Sequence, residues 1–123
     1  MKNIKICTKN EVIYSMNLYK KYALSNDLTE NKLIKYGFHN GKNYHEYIYK
    51  DILQLIIIID VETHEWWYQV YNTSTDTFYP AYYNRTYGVD LMILEVDDNI
   101  EKIMKKLVRA EIFKKKKKKG KKK

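Results

Sequence analysis

The chain contains very little cysteine, glycine or proline. Cys7 is the only cysteine, which excludes an internal disulfide framework and favours a reducing setting. Only four glycines are present, and none belongs to a phosphate-cradling loop motif, which argues against a nucleotide-binding loop. Pro80 is the single proline. Because proline cannot donate to a sheet ladder, we expect the strand around it at a sheet edge.

Long apolar runs are also missing. The longest aliphatic run, residues 55–59, is far too short to cross a bilayer. The first twelve residues lack the apolar block of a secretion signal. We therefore expect a soluble protein of the cytoplasm that does not contact membranes.

The formal charge of +8 is distributed unevenly along the chain. Residues 114–123 contain nine lysines, and residues 1–113 carry 14 basic against 15 acidic side chains, a formal charge of −1. A segment with so much charge and so few apolar groups cannot bury a core. We therefore predict one folded domain over residues 1–113 and a flexible polylysine tail over residues 114–123.

Residues 53–72 carry the strongest structural signal and predict a β-hairpin. Residues 55–59 are continuously aliphatic, which is typical of a strand buried on both faces. The second arm alternates, so Trp66 and Trp67 point to opposite faces, one of which should be wetter. Residues 61–64 form a short polar link, and His64 stands where hairpin turns often require a positive φ.

The N-terminal region predicts a strand followed by a helix. Residues 2–7 alternate apolar and polar side chains, as a strand does. Thr8 and Glu11 have the spacing of a capping box, which satisfies free amides at a helix start. Apolar residues then recur at helical spacing, so we predict an amphipathic helix over residues 9–24 that packs on the sheet.

The middle of the chain adds a short helix and two strands. Asp27 and Glu30 predict a cap for a helix that ends at Gly37. Residues 44–50 favour a strand, with a turn of helix as the alternative, and residues 77–83 resume strand-like aromatic residues. The predicted fold class is α+β: a small single domain whose mainly antiparallel sheet, of roughly three to five strands, packs against an N-terminal and a C-terminal helix.

The C-terminal third permits two interpretations. Apolar residues recur at alternating spacings of four and three across residues 89–110, consistent with one helix. Residues 97–99, Asp-Asp-Asn, are poor in a helix interior and good at an N-cap. This favours a strand over residues 91–96 and a helix over residues 98–113, which we prefer. In both interpretations a helix leads into the lysine tail.

Nine of the eighteen aromatic residues fall within residues 66–87. Trp66 and Trp67 cannot both point into one core, so one of them should be exposed or covered. Exposed tryptophan and tyrosine anchor protein interfaces at low entropic cost, although tyrosine also fills half-buried sheet positions. We predict a face that docks on another protein, formed by Trp66, Trp67, Tyr68, Tyr71, Tyr79, Tyr82 and Tyr83.

The lysine tail predicts contact with polyanions. Binding of ammonium groups to phosphates releases counterions, so the affinity should fall with salt and carry no sequence information. The alternative is an incidental or solubilising tail. Stacking of tyrosines on bases is less favoured, because the aromatic segment holds one basic side chain, Arg85. The predicted nucleic-acid contacts are Lys114, Lys115, Lys116, Lys117, Lys118, Lys119, Lys121, Lys122 and Lys123.

Patterns for catalysis or metal binding are weak. Asp60, Glu62 and His64 would share one face of a regular strand and could hold a cation there. They fall in a predicted turn, however, where solvated loop charges are the better interpretation. We predict no catalytic residue, no metal site and no cofactor. A small-ligand binder or cryptic enzyme, using His64 with Glu62 or Glu65, is the remaining alternative.

In its length, its richness in lysine, tyrosine, asparagine and isoleucine, and its lack of enzyme motifs, the chain resembles the small accessory proteins of phages and mobile elements. These include the anti-CRISPR inhibitors of Cas effectors. The resemblance implies a non-enzymatic inhibitor in the host cytoplasm that docks on a nucleic-acid-handling protein or ribonucleoprotein, such as a Cas effector. The second function that we consider is direct RNA or DNA binding through the lysine tail and tyrosine stacking.

Overall fold

The computed structural model describes residues 6–8, 17–79 and 91–116. Within these residues, three helices and six strands form the α+β fold that the sequence predicts. The helices are α1 (Asn17–Lys21), α2 (Glu30–Tyr36) and α3 (Leu91–Arg109). The strands are β1 (Tyr22–Leu24), β2 (Asn43–Tyr49), β3 (Leu53–Asp60), β4 (Glu65–Asn72), β5 (Thr77–Tyr79) and β6 (Phe113–Lys115).

Four strands form the main sheet in the order β2-β3-β4-β5, and each neighbouring pair is antiparallel. The predicted hairpin is confirmed as β3 and β4, which pair along their whole length. His64 closes the connecting turn with a φ of 58°, the left-handed conformation expected there. Among the described strands, β5 lies at an edge of the sheet, as predicted for the strand over residues 77–83, of which residues 80–83 lie outside the described part.

One face of the main sheet, called the inner face, packs against α3. Ile57 of β3 and Val70 of β4 lie in one hydrophobic cluster with α3. The buried side chains of α3 recur at helical spacing, so they form a single apolar stripe: Val96, Ile100, Ile103, Met104 and Leu107. The apolar side of α3 is therefore used within the fold. Among the described residues, no helix combines the length and apolar content needed to span a membrane.

The opposite, outer face of the main sheet is covered as well. Ile56, Ile58 and Tyr71 form a second buried cluster, and Ile6 packs against it. The sequence correctly predicts that β3 is buried on both faces. It is wrong in predicting a wetter face for β4, because an N-terminal segment far away in the sequence lies over that face.

Two polar contacts hold the N-terminal segment on the outer face. The backbone N–H of Cys7 donates to Oε1 of Gln69 at 2.6 Å, and Nε1 of Trp67 donates to the carbonyl of Cys7 at 3.0 Å. Ile6 and Cys7 are not part of a strand, in contrast to the prediction. Residues 2–5 of that predicted strand lie outside the described residues.

The helix predicted over residues 9–24 ends earlier than expected. Its described part is α1, and Tyr22–Leu24 instead form β1, which pairs antiparallel with β6. This long-range pairing buries Tyr22 and Leu24, which outweighs the local helical pattern. The capping residue Glu11 lies outside the described residues.

α2 begins and ends with strong caps. Thr29, rather than the predicted Asp27, is the N-cap, and its hydroxyl accepts a hydrogen bond from the backbone N–H of Lys32 at 3.2 Å. Gly37 ends the helix with a φ of 122°, as predicted. The strand preferred for residues 44–50 is also confirmed, as β2.

The C-terminal third forms one helix, so the preferred split at residues 97–99 is wrong. The polar residues there have partners that do not require the helix to end. Nδ2 of Asn99 donates to the carbonyl of Ile48 at 2.8 Å, and Asp98 lies 3.6 Å from Nζ of Lys102 one turn later. α3 ends at Arg109, and the chain then enters a strand instead of continuing as a helix to residue 113.

The first lysines of the predicted tail belong to the folded part. Lys114 and Lys115 lie in β6. The backbone N–H of Lys116 donates to the carbonyl of Lys21 at 2.9 Å, and its Nζ donates to the carbonyl of Tyr19 at 2.7 Å. The folded part therefore extends past the predicted boundary at residue 113 and includes Lys114, Lys115 and Lys116. Residues 117–123 lie outside the described residues.

Candidate functional site

Three aromatic residues of the predicted docking face are buried. Trp66 is 8% and Tyr68 3% exposed on the inner face, and Tyr71 is 3% exposed on the outer face. The ring centroid of Trp66 lies 4.7 Å from that of Tyr19 and 4.7 Å from that of Phe113. These rings therefore serve mainly to fill the two hydrophobic clusters, Trp66 also lines a surface depression, and the docking role that the sequence predicts for them stays a prediction.

The other residues of the predicted face are placed differently. Trp67 is half-buried beneath the N-terminal segment, as expected for a tryptophan that is covered. Tyr79 ends β5. Tyr82 and Tyr83 lie outside the described residues, so their role stays a prediction.

Buried tyrosines keep their hydroxyls satisfied, which explains how the core holds so many of them. The hydroxyl of Tyr22 donates to Glu101 at 2.8 Å, and that of Tyr44 donates to Glu46 at 2.6 Å. Burial, and next the hydrogen-bonded carboxylate, raises the pKa of each phenol well above its usual range. Both tyrosines therefore act as neutral donors within the fold.

Glu101 links α3 to the small β1-β6 sheet. Burial alone would raise its pKa, but hydrogen bonds from Lys21, at 2.7 Å, and from Tyr22 outweigh burial, so that the pKa of Glu101 is lowered. The carboxylate is thus held in its charged form. It ties α3 to the strand that pairs with the first lysines of the tail.

An exposed row of cations runs along α3. Its members recur at positions i, i+3, i+4 and i+7, which places them on one side of a helix. All of them are exposed, and they line a groove of about 420 Å³ between α3 and β2. This row, called the basic stripe, consists of Lys102, Lys105, Lys106 and Arg109.

The basic stripe leaves the groove with an excess of positive charge. Glu46 is the one carboxylate among the groove-lining residues, and it pairs with Lys106 at 3.0 Å. Lys105 and Arg109 form no ion pair within the described part of the chain. Surface cations clustered in a cleft create a positive local potential that attracts anions.

Tyr47 lines the other wall of the groove. It is 48% exposed and belongs to the groove lining, and its register opposite Gln54 turns its side chain toward the outer face of this strand. The position of β2 against α3 is fixed by the hydrogen bond from Asn99 to Ile48 and by the ion pair between Glu46 and Lys106. The groove therefore combines several exposed cations with one exposed aromatic residue on a rigid support.

The lysine segment, here Lys114, Lys115 and Lys116, follows the groove residue Arg109 closely along the chain. Arg109 at the end of the basic stripe and Lys114 are five residues apart, which limits their separation to about 17 Å even for an extended chain. Lys114, Lys115 and Lys116 are all exposed, and Nζ of Lys114 contacts Oδ1 of Asn26 at 2.9 Å. A long anion in the groove is thus within reach of the lysine segment.

Of the residues in the His64 alternative, the structure separates Asp60 and Glu62 from His64 but places Glu65 beside His64. Oδ1 of Asp60 accepts a hydrogen bond from the backbone N–H of Thr63 at 3.3 Å, a turn contact. Asp60 and Glu62 line one surface depression, whereas His64 and Glu65 line another. Among residues 6–8, 17–79 and 91–116, no group of three or more histidine, cysteine, aspartate or glutamate side chains is placed to hold a metal ion. A site that uses His64 with Glu65 therefore stays a prediction, whereas Glu62 lies in a different depression.

Sequence reasoning missed the groove, although part of its signal is visible in the sequence. The basic stripe follows helical spacing, but charge summed over residues 1–113 hides it, because acidic residues elsewhere cancel it. Tyr47 could be singled out only after β2 is placed beside α3. Comparison with protein-family models, characterised proteins and solved structures found no match to this chain.

Proposed function

We propose that this protein binds single-stranded RNA or DNA without catalysing a reaction, through the groove between α3 and β2. The observation that carries the proposal is the combination of the basic stripe with the exposed Tyr47. Cations along a groove follow a phosphate backbone, and an aromatic ring beside them stacks on a base. A single strand fits this arrangement better than a duplex, because its bases are free to reach a ring.

The lysine segment strengthens the same contact. Its ammonium groups add phosphate contacts that release counterions and carry no sequence information. Because the segment starts near the groove, both engage one strand, and the second contact benefits from a high effective concentration. The single cysteine is consistent with a reducing compartment such as the cytoplasm.

An inhibitor that docks on a protein, as the anti-CRISPR resemblance implies, receives less support. Trp66, Tyr68 and Tyr71 of the predicted docking face are buried. Interface hot spots require side chains that a partner can cover. We therefore rank direct nucleic-acid binding first.

The experiment measures fluorescence anisotropy of a labelled single-stranded oligonucleotide across a range of salt concentrations. The double variant Lys105→Glu/Arg109→Glu reverses the two groove charges that lack an ion pair within the described chain. The control Lys35→Glu/Lys42→Glu changes the net charge equally at exposed positions outside the groove. We expect at least a tenfold weaker affinity for the groove variant than for the control, and a shallower salt dependence by about 1.4 units for two lost contacts.

Substitutions of Tyr47 test the stacking contact separately from the charge contacts. Tyr47→Leu removes the ring and should weaken binding by about 1–3 kcal/mol, whereas Tyr47→Phe keeps the ring and should bind like the wild type. Equal affinities for the groove variant and its control would contradict the groove as the binding site. Absence of binding by the wild-type chain at low salt would overturn the proposed function as a whole.

A further inference from the structure

Two of the three histidines lie side by side on the main sheet. The ring centroids of His39 and His45 are 5.0 Å apart. His39 pairs with Asn43 in an antiparallel bridge, and His45 follows two residues later on the same strand. Side chains at these positions share one face of a sheet. That face is the outer one, because Asn43 lies opposite Ile58 and His45 opposite Ile56.

Asn43 orients the ring of His45. Nε2 of His45 lies 2.9 Å from Oδ1 of Asn43. Oδ1 of Asn43 can only accept, so Nε2 of His45 donates in this arrangement, which in a neutral ring leaves the lone pair on Nδ1. A hydrogen bond of this kind on the second ring nitrogen is common in histidines that ligate metals.

The backbone holds the two rings in a fixed relation. The N–H of His39 donates to the carbonyl of Asn43 at 2.7 Å. Asn40 and Gly41 in the intervening turn both have positive φ, 57° and 68°, and β2 is held by its pairing with β3. His39 is exposed and His45 half-buried, so an ion from solvent reaches a pair that is already positioned.

We propose that His39 and His45 together bind one divalent transition-metal ion of the class that prefers imidazole, such as Zn²⁺. Two neighbouring imidazole rings offer a soft-to-borderline nitrogen site, which suits Zn²⁺, Ni²⁺ and Cu²⁺ and disfavours Mg²⁺ and Ca²⁺. Water completes the coordination, because the pair lies at the surface. The site is independent of the groove and of the proposed function.

The test is calorimetric titration of the full chain with Zn²⁺ in a non-chelating buffer. The chain supplies its own control, since its third histidine, His64, is exposed in the hairpin turn and takes no part in the ring contact between His39 and His45. We expect one Zn²⁺ per chain for the wild type and for His64→Ala. His39→Ala and His45→Ala should each weaken binding at least tenfold. A titration with Mg²⁺ should show no binding at the same concentrations.

His39→Ala decides the outcome, because His39 is exposed and its replacement does not disturb the core. Circular dichroism of each variant verifies that it is folded. Zn²⁺ binding that is unchanged in His39→Ala, or equally weakened in His64→Ala, would overturn the proposal. The same conclusion would follow if the wild-type chain showed no one-to-one binding. Oligonucleotide binding is measured on the metal-free chain, so that failure of the metal site and failure of the groove as a nucleic-acid site can be told apart.

Discussion

The β3-β4 hairpin keeps most of its aromatic rings inside the molecule, whereas the groove between α3 and β2 keeps its charges at the surface. The hairpin rings pack against other rings, as Trp66 does against Tyr19 and Phe113. In the groove, Lys105 and Arg109 face solvent. The large number of aromatic residues in the sequence therefore favours the hairpin as the functional site. The exposure of charged side chains in the structure favours the groove instead.

The difference teaches that a residue type indicates a function only together with its surroundings. Tryptophan and tyrosine are favoured in interfaces, but the same rings contribute most to stability when they fill a core. Lysine and arginine spread along a helix look like an ordinary solvated face until another element lies beside them. In this protein, that element is β2 with Tyr47.

The largest expected effect concerns Trp66. Trp66→Ala should lower the free energy of unfolding by about 3–5 kcal/mol, because it removes a ring that fills the inner core. Trp67→Ala should cost less, since Trp67 is only half-buried. Urea denaturation followed by circular dichroism measures both. If Trp66→Ala kept wild-type stability and lost binding to a partner, the hairpin would be a docking face. Its rings would then not serve mainly to fill the core.

A smaller effect is expected at Gln69, which holds the N-terminal segment on the hairpin. Gln69→Ala leaves the buried N–H of Cys7 without this acceptor and should destabilise the fold by about 1–3 kcal/mol. Gln54→Ala is the matched control on the same face. Oε1 of Gln54 has no hydrogen-bond partner among the described residues, so its loss should cost less.

The thiol of Cys7 gives this prediction a second readout. Cys7 is buried, so a thiol reagent labels it only when the N-terminal segment opens. Gln69→Ala should accelerate labelling under native conditions, and Gln54→Ala should leave it near the wild-type rate. Equal rates in both variants would show that the outer face is covered without help from Gln69.

Substitution of Glu101 tests a charged side chain of α3 that has hydrogen-bond partners. Lys105 and Arg109 in the groove, by contrast, form no ion pair within the described residues. The pKa of Glu101 is lowered in the folded chain from its ordinary value of 4.5. Its contribution to stability is therefore fully present above that ordinary value and is lost as the pH falls through the lower folded pKa. Glu101→Gln should cost about 1 kcal/mol at neutral pH.

The pH dependence separates this effect from a loss of packing. The stability difference between the wild type and Glu101→Gln should shrink as the pH falls below about 4.5, because the wild-type side chain then takes up a proton. Denaturation curves at several pH values measure it. Glu95→Gln, at an exposed position of the same helix, provides the control. A difference that stays constant with pH would indicate that charge plays no part.

The smallest expected effect is that of a single groove lysine. Lys105→Ala should leave the free energy of unfolding within about 0.5 kcal/mol of the wild type, because the side chain is exposed. It should reduce the slope of log affinity against log salt for a single strand by about 0.7. Lys35→Ala, on α2, should reduce it less. A loss of stability comparable to that of Trp66→Ala would remove the distinction between the two regions.

Local patterns explain which parts of the fold could be predicted. The hairpin, its turn at His64 and the end of α2 at Gly37 depend on residues close together in the sequence, so the sequence alone indicated them. The course of α3 through residues 97–99 depends on Asn99 contacting Ile48, 51 residues away. The β1-β6 pairing joins Tyr22 to Lys115. Contacts of this length leave no local pattern.

The candidate site was less predictable than the fold. The basic stripe can be read from its helical spacing once α3 is known to be one helix. The preferred split at residues 97–99 does not remove this spacing, but the sum of charges over the domain conceals it. Burial of Tyr71 depends on the cover provided by Ile6. The cover over Tyr71 and the groove between α3 and β2 both form only when segments distant in the sequence pack together, so neither leaves a local pattern.

Among the described strands, β2 lies at one edge of the main sheet, and this position affects how molecules of this protein behave when many copies are crowded together. An open strand edge recruits edges of other chains and promotes aggregation. The pairing of β2 shifts between Tyr47 and Tyr49, and the carbonyl of Ile48 within this bulge is occupied by Asn99. Irregular edges of this kind resist further strand addition. Crowded copies can therefore remain separate particles instead of growing into fibrils.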